Sequence, residues 1–156
     1  MKTAVAQLVS IVGVLLGATL FAQGFSARTG TWEFNMTMGG AMPMDGVPAE
    51  RRAQMEAELR KPRVFKSCVT ADDLKSLTLG KSEDNDDEDC KVLTSRITPT
   101  TADVTRQCTG DEPYTETAHF EAPTPQSLTA HIARKRTAGT MTVTMTGKWV
   151  AAACKE

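Results

Sequence analysis

The chain has 156 residues, 40% hydrophobic and 24% charged, with 18 basic against 19 acidic side chains for a formal charge of -1. That length holds one domain once a leader is set aside. The balance excludes an electrostatically driven nucleic-acid binder, which carries a basic stripe.

The chain opens "MKTAVAQLVSIVGVLLGATLFAQGFSARTG". One charge, Lys2, precedes an apolar run from Val5 to Phe21, and Ala22 and Gly24 follow like an A-x-A cleavage site. This is the pattern of a secretory signal peptide. As a membrane anchor the run is short: it has roughly 17 residues, at the lower edge of the ~17–25 that span a bilayer. It also contains Gly13 and Gly17, and no basic stop-transfer cluster follows. The reading is therefore a cleaved leader over residues 1–26, cut between Ala22 and Ala27, and a single domain over 27–156. The mature form is not expected to span a membrane. Loss of Lys2 leaves 17 basic against 19 acidic residues, a formal charge of -2.

Period-two alternation dominates the rest and predicts strands. In residues 31–38, Trp32, Phe34, Met36 and Met38 share one face, and Thr31, Glu33, Asn35 and Thr37 the other. Gly39-Gly40 ends the segment. Residues 48–61, "PAERRAQMEAELRK", are rich in helix formers between Pro48 and Pro62. Their apolar stripe is thin, which predicts a surface helix over one edge or end of the sheet. "RVFKSCV" (63–69) reads as a strand. In "TADDLKSL", Thr70 caps a short helix with Asp73 at the third position. "SEDNDDED" (82–89) is a solvated acidic loop. The strands "CKVLTSRI" (90–97) and "ADVTRQC" (102–108) form a hairpin about "TPTT". "YTETAHFEA" (114–122) and "SLTAHIARK" (127–135) form the next, about "PTPQ", and "TMTVTMTGKWV" (140–150) closes the chain. The expected fold is mainly β: an antiparallel meander, curled or closed into a barrel-like sheet, with one or two short helices.

The four cysteines are Cys68, Cys90, Cys108 and Cys154, with no C-x-x-C pair. An even count in an exported chain reads as two disulfides. Three connectivities are possible. Hairpin geometry prefers Cys90–Cys108, which lie nearly opposite at the open end and need a small bulge to come within bridging range. Cys68–Cys154 is then the second bridge, joining the C-terminus to the early part of the chain.

"TGTWEFNMTM", "SCVTADD", "CKV" at 90–92, "QCTG" at 107–110, "TMTVTMTGKWV" and a cysteine near the C-terminus occur in order. This ordered set resembles the DUF3617 family of small exported bacterial proteins, across nearly the whole mature chain. Ala71 stands where the family often has Pro. The resemblance implies a Gram-negative source and a periplasmic location. It implies no activity and no catalytic residue.

Several groups invite chemistry. Thioethers are soft ligands for Cu(I), and Met36, Met38, Met42 and Met44 cluster about Gly39-Gly40. Core packing accounts for Met36 and Met38, as it does for Met141 and Met145; Met42 and Met44 remain as metal candidates. His119 and His131 lie on adjacent strands, on the face opposite Phe120 and Ile132. In register they form a pair that could hold Zn²⁺ or Cu²⁺, given a further ligand such as Glu121 or Glu116. The acidic run 83–89 lacks the glycine and glutamate of a calcium loop. No hydrolase elbow, zinc-protease motif or P-loop is present, so no catalytic residue is named and no cofactor is expected. "ARKRT" (133–137) is a basic cluster that could touch an anionic head group.

The expected function is a non-enzymatic binding or envelope-interaction module, with metal binding as the alternative. A curled sheet can hold a small apolar ligand, and Trp32, Phe34, Met36, Met145 and Trp149 are the residues expected to line that interior. The competing expectation packs the same five side chains into a solid core.

Overall fold

Alternating apolar and polar side chains commit this chain to strands, and the hydrophobic face of each needs cover. The computed structural model describes residues 24–40, 46–79, 90–110 and 112–154. Residues 1–23 of the expected leader, the acidic loop, Met42 and Met44 lie outside the described residues. The elements in order are β1 (Gly30–Gly40), α1 (Ala49–Leu59), β2 (Arg63–Val69), α2 (Ala71–Ser76), β3 (Cys90–Ile97), β4 (Thr101–Cys108), β5 (Tyr114–Thr124), β6 (Ser127–Arg136) and β7 (Gly139–Ala151).

All seven strands form one antiparallel sheet in the order β2-β1-β7-β6-β5-β4-β3. β3 to β7 are the expected meander. The first strand then pairs with the last, Trp32 opposite Trp149 and Met36 opposite Met145. The sheet is not closed, so β2 and β3 are its edges. It curves around one interior: Met36 and Met38 of β1 and Cys90 of β3, near opposite edges, line the same cavity. The right-handed twist of antiparallel strands provides that curvature.

Inward residues run in cross-strand rows. One row is Met36, Met145, Ala130, Phe120 and Ala102. The next is Met38, Val143, Ile132, Ala118 and Val104. Trp32 and Phe34 are fully buried and stack with ring centroids 6.0 Å apart. Gly147 lies opposite Phe34, and a Cβ there would come within 2.6 Å of the Phe34 ring. The absent side chain is what lets the two rings lie flat on β7. Outside, Glu33 sits between Lys66 and Lys148 in register, a favourable alternation of charge.

The helices follow the sequence logic. α1 buries no residue and has no side-chain cap; Glu56, Leu59 and Arg60 lie against Met38–Gly40 at the end of β1. α2 has the capping box, with the Asp73 amide on Thr70 Oγ1 and the Thr70 amide on Asp73 Oδ2. Leu77 then turns left-handed at φ 53° and places Leu77 and Leu79 in the core.

Both disulfides have the preferred pairing, Cys68–Cys154 and Cys90–Cys108, with Cα atoms 5.3 Å and 4.0 Å apart. The hairpin places Cys90 opposite Cys108, with an irregularity between Val92 and Thr94 supplying the register change.

The packed unit also takes in residues ahead of position 27. Phe25 is buried, edge-on to Phe120 at 6.5 Å. The Ser26 amide donates to the Pro99 carbonyl at 2.9 Å, and the Arg28 amide to the Pro125 carbonyl at 3.0 Å. This segment thereby ties the β3–β4 and β5–β6 turns to the start of β1.

Candidate functional site

The five residues expected to line an interior divide between core and cavity. Trp32 and Phe34 belong to the packed core. Trp149 is partly buried beside them; its indole N–H donates to the Thr29 carbonyl at 3.0 Å, and the Arg28 guanidinium lies 5.1 Å from its ring. Met36 and Met145, one row further along, open onto a cavity of about 260 Å³. Met38, Met141 and Val143 continue its apolar wall, and Leu77 and Leu79 line it as well. A solid aromatic core thus ends where a methionine-lined cavity begins.

The next inward row is charged. Met141, Arg134, Glu116 and Arg106 stand opposite one another on β7, β6, β5 and β4. Glu116 receives Arg106 Nη1 at 3.0 Å on one oxygen and Arg134 Nε at 2.8 Å on the other. Arg106 Nη2 donates to the carbonyls of Leu77, at 2.7 Å, and Ser76. Arg106 therefore links the sheet to the C-terminal end of α2 and satisfies carbonyls that the helix leaves open. The Arg106 and Glu116 side chains are each 8% exposed, and that of Arg134 is 28% exposed. Among the described residues no buried side-chain nitrogen or oxygen lacks a partner.

Sequence reasoning missed this row. It treated Arg134 as part of an exposed basic cluster and Glu116 as a spare ligand. The cluster is in fact divided by the strand's alternation: Arg134 turns inward, Lys135 outward, and Arg136 pairs with Glu112. The available signal was parity. Arg106 is in phase with Ala102 and Val104, Glu116 with Ala118 and Phe120, and Arg134 with Ala130 and Ile132.

The histidines stand directly opposite each other, on the outer face as expected. The His119 ring donates from Nδ1 to Asp103 at 2.6 Å and approaches Glu121 through Nε2 at 3.2 Å. The Asp103 hydrogen bond, then that of Glu121, raises its pKa above the ordinary value, against an opposing effect of burial. Carboxylates thus hold both nitrogens of the ring and favour its proton, whereas a metal needs a neutral imidazole lone pair. A more open groove runs along these histidines, lined by Thr105, Thr117, Thr142 and Thr144. Among the described residues no set of three or more His, Cys, Asp or Glu could hold a metal ion, and no helix is long and apolar enough to cross a membrane.

The molecule is thus a disulfide-linked, open antiparallel sheet whose inner face carries a methionine-lined cavity beside an Arg–Glu–Arg row in which Arg106 and Glu116 are buried and Arg134 is part-exposed. The chain belongs to the DUF3617 family, described as a protein of unknown function, whose model matches residues 27–154. No curated protein and no solved structure matches the chain.

Proposed function

We propose that this protein is a periplasmic, non-enzymatic binding module that holds a small apolar ligand or envelope component inside its sheet. The observation that carries the reading is the cavity of about 260 Å³ walled by Met36, Met38, Met141, Val143 and Met145. An apolar cavity of ~150 Å³ already takes up benzene, so this one has room for a larger guest. Flexible thioethers let such a wall adapt to irregular shapes. Export is supported by the leader and by two disulfides, which persist in oxidising compartments. The non-enzymatic reading is supported by Glu116, whose two oxygens are both held by guanidinium groups. Its ion pairs join β4 to β6 across β5, a structural use of the carboxylate.

Native mass spectrometry of protein isolated from the periplasmic fraction of cells expressing the full chain tests both parts. The expected result is a leader-less chain with two disulfides and an added mass that organic solvent removes. Unprocessed chain in the cytoplasm would overturn the location. A bare polypeptide that also takes up no octanol in a fluorescence titration would overturn the binding reading.

A further inference from the structure

The cavity's lining differs along the strands. The row of Met36, Met145 and Phe120 is apolar, whereas two rows along stand Arg134, Glu116 and Arg106. Two guanidinium groups share one carboxylate there, which leaves one formal positive charge at the cavity wall. The groups are not equivalent. Arg106 spends one Nη on Glu116 and the other on the carbonyls of Leu77 and Ser76. Arg134 reaches Glu116 through Nε alone. Among the described residues its two Nη groups have no hydrogen-bond partner, and its guanidinium lies 5.3 Å from the Tyr114 ring. Arg134 is therefore oriented by Glu116 and Tyr114 while its outer edge stays open. A guanidinium held this way presents parallel N–H donors, the geometry that takes a carboxylate or phosphate bidentately.

We infer that the ligand is a small amphiphile with one anionic head group, its head on the Nη edge of Arg134 and its tail along Met36, Met38, Met141, Val143 and Met145. This rests on the cavity reading above and adds the head-group chemistry. An anion there neutralises the excess charge, a neutral head leaves it uncompensated, and a cation adds to it. Carboxylate and phosphate heads share this chemistry, and the two anionic probes below distinguish a fatty acid from a phospholipid fragment.

The test is calorimetric titration of the oxidised protein with octanoate, octyl phosphate, octanol and octyltrimethylammonium. At least one anion should bind about tenfold to a hundredfold more tightly than octanol, as a charge-assisted bidentate contact would give. The ammonium should bind most weakly. In Arg134→Gln that advantage should vanish while octanol binding is kept, and Arg134→Lys should retain part of it. Octanol binding as tightly as both anions overturns the inference and leaves the cavity reading in place; binding of none overturns both. An anion preference that survives unchanged in Arg134→Gln overturns the assignment to Arg134. The head-group series on the unaltered protein decides the matter even where Arg134→Gln fails to fold.

Discussion

Replacing Glu116 by Gln should be among the most damaging isosteric changes in the molecule. The Glu116 side chain is 8% exposed and accepts at 3.0 Å from Arg106 and at 2.8 Å from Arg134. Glutamine keeps one acceptor and turns a donor toward the other guanidinium. Arg134, 28% exposed, can swing to water; Arg106, 8% exposed, cannot. The amide oxygen therefore stays with Arg106, which becomes a buried cation without a counter-charge. Breaking a buried ion pair costs about 3–5 kcal/mol. Arg106 keeps the Leu77 and Ser76 carbonyls, so the lower end, about 3 kcal/mol, is expected. Arg134→Gln leaves Glu116 paired with Arg106 and should cost about 1 kcal/mol, as for a partly solvated pair. The assay is urea unfolding with the disulfides intact, followed by the fluorescence of Trp32 and Trp149. With a slope of about 1–3 kcal/mol/M, Glu116→Gln should lower the midpoint by about 1–3 M. A Glu116→Gln loss below about 1 kcal/mol, or one no greater than that of Arg134→Gln, would refute the claim that Arg106 depends on this carboxylate. The double variant Arg106→Met/Glu116→Leu removes both charges but orphans two helix-end carbonyls. It should recover only part of the loss.

Gly147→Ala should destabilise by about 1–3 kcal/mol, an overpacking cost, because its Cβ would meet Phe34 at 2.6 Å and Trp32 at 3.2 Å; an unchanged urea midpoint would show that the stack is loose. The bridges close 86 and 18 residues of separation, worth about 4.6 and 3.2 kcal/mol by loop entropy. Cys68→Ala/Cys154→Ala should therefore lower stability more than Cys90→Ala/Cys108→Ala, and the reverse order would contradict the loop argument. Asp103→Asn should lower the His119 titration midpoint seen by NMR, since that hydrogen bond is the largest cause raising it. A pKa raised on folding means the contribution is fully present below the unfolded value of about 6.5 and is lost as pH rises through the folded one. At 41% side-chain exposure the stability change should be small, and a midpoint that does not move refutes the assignment. Phe25→Ala should cost about 3 kcal/mol through the lost contact with Phe120, and N-terminal sequencing should find the leader cut ahead of Phe25. A mature chain starting at Ala27 with full stability would contradict this.

The sequence by itself determined the local structure. Period-two alternation in "WEFNMTM" and "TMTVTMTGKWV" dictates strands because adjacent side chains must point to opposite faces. Pro48, Pro62 and the Thr70–Asp73 box bound the helices through backbone chemistry carried by those residues. The Cys90–Cys108 pairing was legible because a hairpin is a local object, with its register set by a short turn. Partners far apart in the chain were not. Nothing in Trp32 or Trp149 says that the first strand lies beside the last, and only that pairing leaves the sheet open with β2 and β3 as edges. The site depends on the same step. Arg134 read as part of a basic cluster and Glu116 as a spare metal ligand, while Arg106 was only one polar residue of a strand. They become one inward row only when three strands align and the Leu77 carbonyl meets Arg106, because a charge is held inside a fold by partners that tertiary structure alone delivers.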